Sequence, residues 1–167
     1  MSAQAAPPFA LRPMLPADVP QLAEIFRESV LELTGDDYSD EQREAWISAT
    51  DDIEAFAKRL AGQLTIVATL GGAVVGFASL EGNDSIDFFY VHPAVAGQGA
   101  GALLADALEK LAGSRGVDKL KVDASDTAYG FFIKRGYVAQ QRNSVERGGE
   151  WLANTTMHKP LGGGSPS

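Results

Sequence analysis

The sequence contains no cysteine, and histidine occurs only twice among its 167 residues, as His92 and His158. The lack of cysteine excludes disulfide bonds, a cysteine nucleophile and thiolate metal ligands, and it fits a reducing compartment. The two histidines lie far apart in the chain, which argues against a histidine-based metal cluster. We therefore expect neither a metal centre nor thiol chemistry from the protein's own side chains.

Long apolar runs and an excess of positive charge are also missing. No apolar segment approaches the roughly 20 residues that span a bilayer. The first residues, MSAQAAPP, have neither the basic region nor the apolar core of a secretory signal. The formal net charge of −8 disfavours nucleic acid and anionic membranes as partners. Together these features predict a cytoplasmic protein, and they leave room for an anionic small ligand, which backbone dipoles and a few lysines can bind.

Length and hydrophobic patterning predict one domain over residues 9–160, with flexible segments at 1–8 and 161–167. Helical and strand spacing both occur, and a strand–helix–strand unit after residue 85 predicts one parallel strand pair. The expected fold class is α/β (α+β), with a mixed sheet and helices on both of its faces. The predicted strands cover residues 9–15, 64–70, 73–80, 85–91, 119–122, 137–145 and 151–158, and helices begin near residues 18, 39, 53, 101 and 127.

Short-range signals place several of these boundaries. Asp18 with Gln21, and Ser39 with Gln42, have the spacing of capping boxes at helix N-termini. The pair Gly71–Gly72 separates two strand-like runs by two residues and predicts a tight hairpin turn.

The most informative segment is residues 91–101, which we call the glycine loop. Gly97, Gly99 and Gly101 alternate there, after a predicted strand and before a predicted helix. Glycine allows the backbone to turn sharply and to bring several N–H groups close to a ligand. At a helix N-terminus such a loop suits a pyrophosphate.

A dinucleotide-binding (Rossmann) fold is one alternative for this loop. Gly97, Gly99 and Ala102 satisfy a relaxed fingerprint, and Asp123 follows at the distance of a ribose-binding acid. However, an antiparallel hairpin precedes the loop, and fewer than fifty residues follow Asp123. These surroundings disfavour a doubly wound sheet.

A second motif supports a different interpretation. Together the two motifs resemble those of the GNAT acyl-CoA N-acyltransferases, V-x-P-x-x-[RQ]-G-x-G-x-[GA] followed by N-x-x-A-x-x-F-Y-x-K-x-G-F. The first is matched by Val91, Pro93, Gly97, Gly99 and Gly101, and the second is read as Ser125, Ala128, Phe131, Phe132, Lys134, Gly136 and Tyr137. The resemblance covers about residues 9 to 160 and is closest to uncharacterised bacterial small-molecule members.

The resemblance implies a mixed, mostly antiparallel sheet of six to seven strands and acetyl-CoA as co-substrate. In this family the fourth strand splays from the fifth at a bulge, the pantetheine arm lies in the opening, and loop N–H groups hold the pyrophosphate. The residues implied to bind the cofactor are Phe89, Tyr90, Val91, Ala96, Gly97, Gln98, Gly99, Ala100, Gly101, Ser125 and Phe132.

Several positions depart from the family pattern. Ala96 replaces an arginine or glutamine, Gln98 a frequent lysine or arginine, and Ser125 an asparagine. Phe132 replaces the tyrosine that in many members protonates the departing thiolate, and phenylalanine has no proton to give. Tyr129, Ser125 or water could supply this proton, although a surface or lid aromatic is favoured over this role for Tyr129.

Asp87 is the predicted base for the acceptor amine. Several family members carry an acid on the same strand, and alternation puts Asp87, Phe89 and Val91 on one face, where burial would raise the pKa of the carboxyl. A solvent-facing strand aspartate is the alternative. Tyr38 and Trp46 are candidates for the acceptor pocket, with ordinary core packing as their alternative.

The resemblance implies an N-acetyltransferase that transfers an acetyl group to a small-molecule amine by direct attack, because no cysteine can carry the acyl group. Two alternatives remain open: a non-catalytic acyl-CoA binder or sensor, and a protein N-terminal or lysine acetyltransferase. Exposed C-terminal edge strands would allow a homodimer through sheet pairing.

Overall fold

A computed structural model describes residues 9–162, which form seven strands and five α-helices. Of the predicted flexible segments 1–8 and 161–167, residues 1–8 and 163–167 lie outside the described residues. Leu161, predicted to start the flexible tail, instead donates its N–H to the Asp118 carbonyl (2.8 Å) and packs on the core. The elements are β1 (Phe9–Pro13), α1 (Val19–Leu33), α2 (Asp40–Ile47), α3 (Ile53–Ala61), β2 (Leu64–Leu70), β3 (Ala73–Glu81), β4 (Ser85–Val91), α4 (Ala100–Ser114), β5 (Lys119–Ser125), α5 (Tyr129–Lys134), β6 (Val138–Arg147) and β7 (Glu150–Pro160).

The strands form one sheet in the order β1-β2-β3-β4-β5-β7-β6. Every neighbouring pair is antiparallel except β4 and β5, which are parallel and joined by α4. This confirms the predicted mixed, mostly antiparallel sheet. The two edges of the sheet are β1 and β6. No helix among residues 9–162 has the length and apolar character needed to cross a membrane.

Each face of the sheet carries its own hydrophobic cluster. On one face, α1 and α3 bury Phe26, Phe56 and Leu60 against Phe77 and Phe88 of the strands. On the other face, α4 and α5 cover a second set of buried side chains, which includes Leu104, Leu108, Leu120, Phe132, Tyr137 and Met157. The prediction of helices on both faces is therefore confirmed.

Some of the short-range signals act as predicted and one does not. The Ser39 hydroxyl accepts the Gln42 N–H, and the Gln42 side chain accepts the Ser39 N–H, so this capping box is confirmed. The predicted box at Asp18 is wrong, since its carboxylate binds the Arg12 guanidinium and the Leu15 N–H instead. The hydrogen bond from Arg12 lowers the pKa of Asp18.

A bulge in β4 decides how the centre of the sheet opens. On β3, Ala78 pairs with Phe89 and Leu80 pairs with Ile86, so two residues of β4, 87 and 88, face Ser79 alone. The Ser79 hydroxyl accepts the Phe88 N–H (3.1 Å) and donates to Gln63 Oε1 (2.6 Å). A side chain thus satisfies the buried N–H that the bulge leaves without a ladder partner.

Replacing Ser79 by alanine is expected to lower the free energy of unfolding by about 1–3 kcal/mol, because the Phe88 N–H would stay buried without an acceptor. Urea denaturation measures this change. Ser114→Ala is the control, since the exposed Ser114 hydroxyl only donates to the Leu111 carbonyl in the last turn of α4. Equal losses in the two variants would show that Ser79 does not support the bulge.

Candidate active site

The two parallel strands separate soon after they meet. β4 and β5 pair only at Ser85 with Lys121 and at Ile86 with Val122. Beyond these pairs, residues 87–91 of β4 diverge from residues 123–125 of β5, which stay paired with β7. We call this opening the gap. It leaves the backbone polar groups on one edge of β4 without a strand partner.

A cavity of about 440 Å³ lies at the gap and extends under α1 and α2. One end is apolar and aromatic, and the other end, near the point where the strands diverge, carries charged side chains. The apolar end includes Phe26, Val30, Tyr38, Trp46, Tyr90 and Leu152, and the charged end includes Arg59, Glu81, Asp87, Lys121 and Asp123.

The glycine loop leads from the end of β4 to the start of α4. Gly97 and Gly99 adopt φ of +78° and +104°, a backbone region that favours glycine. The helix begins at Ala100, so the N–H groups of its first turn have no partner within the helix. These N–H groups and the positive end of the helix dipole make an anion-binding surface beside the gap.

An aromatic pair lines the apolar end of the cavity. Trp46 Nε1 donates to the Tyr90 hydroxyl (3.3 Å), and the Tyr90 ring meets Phe26 edge-on at 4.8 Å. Burial raises the pKa of Tyr90 to about 12. Tyr90 is therefore neutral at pH 7 and keeps a hydroxyl proton that it can donate.

Two carboxylates flank the gap, and they differ in how many protein donors they bind. Asp87 accepts from Arg59 Nε (2.9 Å), Arg59 Nη2 (2.6 Å) and Gln63 Nε2 (2.7 Å). Asp123 accepts through Oδ1 from the Thr156 hydroxyl at 2.6 Å. Both face the α1–α3 side, since Asp123 alternates with the buried Val122 and Ala124. Within residues 9–162, no group of three or more acidic or histidine side chains is placed to hold a metal ion.

Comparison with known proteins identifies this arrangement. The family described as acetyltransferase (GNAT) domain matches residues 34–161 of the chain. The chain belongs to the GNAT acetyltransferases. It is an acetyltransferase enzyme, as the two motifs predicted, and the acceptor it uses is the open question.

Similar GNAT proteins extend over nearly the whole chain. An uncharacterized N-acetyltransferase of Escherichia coli, YafP, is 32% identical over 151 residues, which are 90% of this chain and 95% of YafP. A GCN5-related N-acetyltransferase from Rhodopseudomonas palustris is 59% identical with a TM-score of 0.92, over 95% of this chain and 99% of that one. The PaiA N-acetyltransferase from Thermoplasma acidophilum, solved in complex with coenzyme A, shares the fold at 20% identity, with a TM-score of 0.75 over 91% of this chain and 98% of that one.

The structure places several of the predicted cofactor-binding residues at the gap. Phe89, Tyr90, Val91, Ser125 and Phe132 all line the cavity. Phe132 is almost completely buried and packs against Phe89, with ring centres 5.4 Å apart. The other predicted positions, 96–101, lie in the glycine loop and the first turn of α4.

The glycine loop holds its own shape through short-range hydrogen bonds. The Ala96 N–H donates to the Pro93 carbonyl, and the Gln98 N–H donates to the Val95 carbonyl. The Gln98 side chain folds back to the Ala94 carbonyl (3.3 Å), so it stiffens the loop instead of extending toward a ligand.

The predicted face of Asp87 is wrong, because the bulge interrupts the strand's alternation. Phe89 and Val91 pack on the α4 side, whereas Asp87 pairs with Arg59 and Gln63 at the α3 side. The side chain is mostly buried, with 15% exposed, but it faces a guanidinium instead of apolar neighbours. The role of Asp87 as the base stays a prediction, and Asp123 is a second candidate for this role.

Tyr129 lies away from the cavity. It begins α5, is 37% exposed, and lines a separate shallow groove with Gln141 and Arg142. Phe132, three residues later, is almost completely buried, and of these two residues only Phe132 lines the cavity. Because Tyr129 does not line the cavity at the gap, its position does not support the predicted role as proton donor.

Both residues predicted for the acceptor pocket line the cavity. Trp46 presents its ring there, and the buried Tyr38 packs against it, with ring centres 5.2 Å apart. The Tyr38 hydroxyl donates to the Ala153 carbonyl (2.6 Å) and accepts the Asp126 N–H (2.8 Å). Tyr38 therefore joins the loop before α2 to the strands, and only its ring is available to a ligand.

Sequence patterns missed two charged residues of the cavity. They did not indicate Asp123 as a base, and they gave Arg147 no functional role. Asp123 was considered only for a dinucleotide fingerprint, and its strand was predicted to end at Val122, although β5 extends three residues further, to Ser125. Arg147 was assigned to a turn but ends β6 and lines the cavity. The signal that could have found Asp123 is the alternation of polar and apolar residues along β5.

Proposed function

We propose that this protein transfers an acetyl group from acetyl-CoA to the amine of a small molecule, by direct attack of the amine on the thioester. The gap beside the glycine loop is the observation that carries the proposal. A cofactor that has a long polar arm and a pyrophosphate matches an open strand edge next to a helix N-terminus. The coenzyme A complex of the similarly folded PaiA protein supports this choice of cofactor.

The cofactor would bind in two parts. The pyrophosphate would accept N–H groups of the glycine loop and of the first turn of α4, at Gly99, Ala100 and Gly101. The pantetheine arm would lie along residues 87–91 and hydrogen-bond the unpaired edge of β4, as an added strand would. The thioester would then reach the cavity between Asp87 and Asp123.

The enclosure of the cavity favours a small acceptor over a protein chain. The β6–β7 hairpin closes against α2, since Gln42 Nε2 donates to the Trp151 carbonyl (2.7 Å) and a Cβ on Gly148 would lie 3.2 Å from the Ala45 Cβ. Because the cofactor's arm would occupy part of this cavity of about 440 Å³, the space that remains suits a small acceptor.

Asp123 is the better base for the acceptor amine. Both oxygens of Asp87 already bind donors, and a proton on that carboxyl would break its pairing with Arg59. Asp123 uses one oxygen for Thr156, so the other can accept a proton from the amine directly or through a water molecule.

The departing thiolate does not require full protonation by an acid of the protein. A thiol with a pKa near 8.5 leaves readily, and a hydrogen bond to the sulfur would suffice at neutral pH. The Ser125 hydroxyl lines the cavity and accepts the Ala128 N–H (3.1 Å), which leaves its own proton free to donate. Ser125 therefore replaces Tyr129 as the preferred donor.

Release of free thiol from acetyl-CoA in the presence of a panel of small primary amines tests the proposed function. We expect release that depends on both the protein and the amine, with the acetylated amine detected by mass spectrometry. Calorimetric binding of CoA without turnover of any amine would favour the non-catalytic binder. Acetylation of peptide N-termini or lysines, with no small amine accepted, would favour a protein acetyltransferase.

A further inference from the structure

Of the three cations that line the cavity, two, Lys121 and Arg147, form no ion pair within 4 Å with an acidic side chain of residues 9–162. Arg59 is held by Asp87, and Lys121 shares its face of β5 with Asp123 two residues later. Arg147 lies at the end of β6.

The two acids next to Arg147, Glu146 and Glu150, form no ion pair with it. Glu146 accepts the Gly149 N–H through Oε2 (2.7 Å) and so closes the hairpin turn. Glu150, the cross-strand partner of Arg147, lines a separate groove beside α2 together with Glu41 and Glu44. The Arg147 guanidinium donates to the Glu146 backbone carbonyl (3.2 Å), which leaves most of its N–H donors available.

The cavity surface beside Arg147 is apolar and aromatic. Val145, two residues before it on β6, and Leu152 on β7 line the cavity together with the Trp46–Tyr90 pair. Besides burial and the Trp46 hydrogen bond, Asp87 raises and Arg147 lowers the pKa of Tyr90. The Tyr90 hydroxyl thus lies within electrostatic reach of both the gap and Arg147.

We infer that the acceptor is an amine with an apolar, aromatic-sized body and a carboxylate, and that Arg147 binds this carboxylate. The inference rests on the proposed function and names its substrate class. The amine would lie at Asp123, the body against Trp46 and Tyr90, and the carboxylate would accept two parallel N–H donors of the guanidinium. Arg147 acts here as a specificity-determining residue and takes no part in the transfer itself.

The test uses two matched pairs of amines that differ only in the carboxylate: phenylalanine with 2-phenylethylamine, and 4-(aminomethyl)benzoate with benzylamine. In at least one pair, we expect kcat/KM to favour the acid by roughly tenfold, the scale of one charged, paired contact. In Arg147→Ala this ratio should fall to about one, through KM rather than kcat. Arg147→Lys should keep part of it.

Arg115→Ala is the matched control, because Arg115 is exposed and bonds to Asn83 outside the cavity, and it should leave the ratio unchanged. The inference is overturned if neither pair shows a preference for the acid, or if the preference survives in Arg147→Ala. The proposed function would then stand on turnover of the amines that lack a carboxylate. Failure of every amine in both pairs, with CoA still bound, would overturn the proposed function and the inference with it.

Discussion

Replacing Asp123 by asparagine is expected to lower kcat/KM for acetyl transfer by about 10²- to 10⁴-fold, the usual contribution of a general base. The amide has the shape of the carboxylate and can still accept the Thr156 hydroxyl, but it cannot take a proton from the amine. The measurement is the initial rate of thiol release at subsaturating amine, with the wild type and the variant compared at the same pH.

Asp87→Asn is the matched comparison, since it makes the same chemical change on the opposite side of the gap. It removes the charge that Arg59 pairs with, so we expect a lower free energy of unfolding and a much smaller loss of kcat/KM than in Asp123→Asn. Calorimetric binding of CoA should be similar in both variants. If Asp87→Asn loses more of kcat/KM than Asp123→Asn does, Asp87 is the base, as first predicted.

Replacing Gly99 by valine is expected to weaken CoA binding on the order of 100-fold or more. Gly99 has φ of +104° immediately before α4, and a β-branched residue cannot hold that conformation. The loop would have to rearrange and move at least two N–H groups away from the pyrophosphate. Each hydrogen bond to a charged group contributes about 1.5–3 kcal/mol, and every 1.4 kcal/mol lost is about tenfold in affinity.

Gly116→Val is the control for backbone strain. Gly116 has φ of +84° at the opposite end of α4, and a Cβ there, as at Gly99, would meet no heavy atom within 4 Å. The two variants should lose similar amounts of thermal stability, while only Gly99→Val loses affinity for CoA in calorimetry. Equal affinity in both would show that the glycine loop does not bind the pyrophosphate.

Local interactions explain why much of the fold was predictable. The Ser39–Gln42 capping box and the Gly71–Gly72 hairpin each depend on residues within a few positions of one another. β4 was predicted at its observed bounds, Ser85–Val91, because its apolar run lies between a turn and the glycine loop. Where a distant partner competes, such prediction fails, as at Asp18, whose carboxylate binds Arg12 of β1 instead of capping α1.

The candidate site was less predictable, because a single extra residue changes which way its side chains face. Strict alternation placed Asp87 with Phe89, and the bulge opposite Ser79 separated them. Neither the bulge nor the ion pair with Arg59 leaves a mark in the local sequence, since both depend on β3 and α3. The proximity of Asp123 and Arg147 to one cavity likewise requires β5, β6 and α2 to be assembled.

By itself, the sequence determined the succession of elements, the glycine loop and the membership of the GNAT family, because these depend on contiguous residues with a set spacing. The tertiary structure alone decided that Asp87 pairs with Arg59, that Asp123 accepts a single hydroxyl, and that Ser125 and Arg147 line the same cavity. Hydrogen bonds and ion pairs between distant strands and helices settle those properties. A side chain can bind or deprotonate a substrate only through donors and acceptors that no neighbouring residue already occupies.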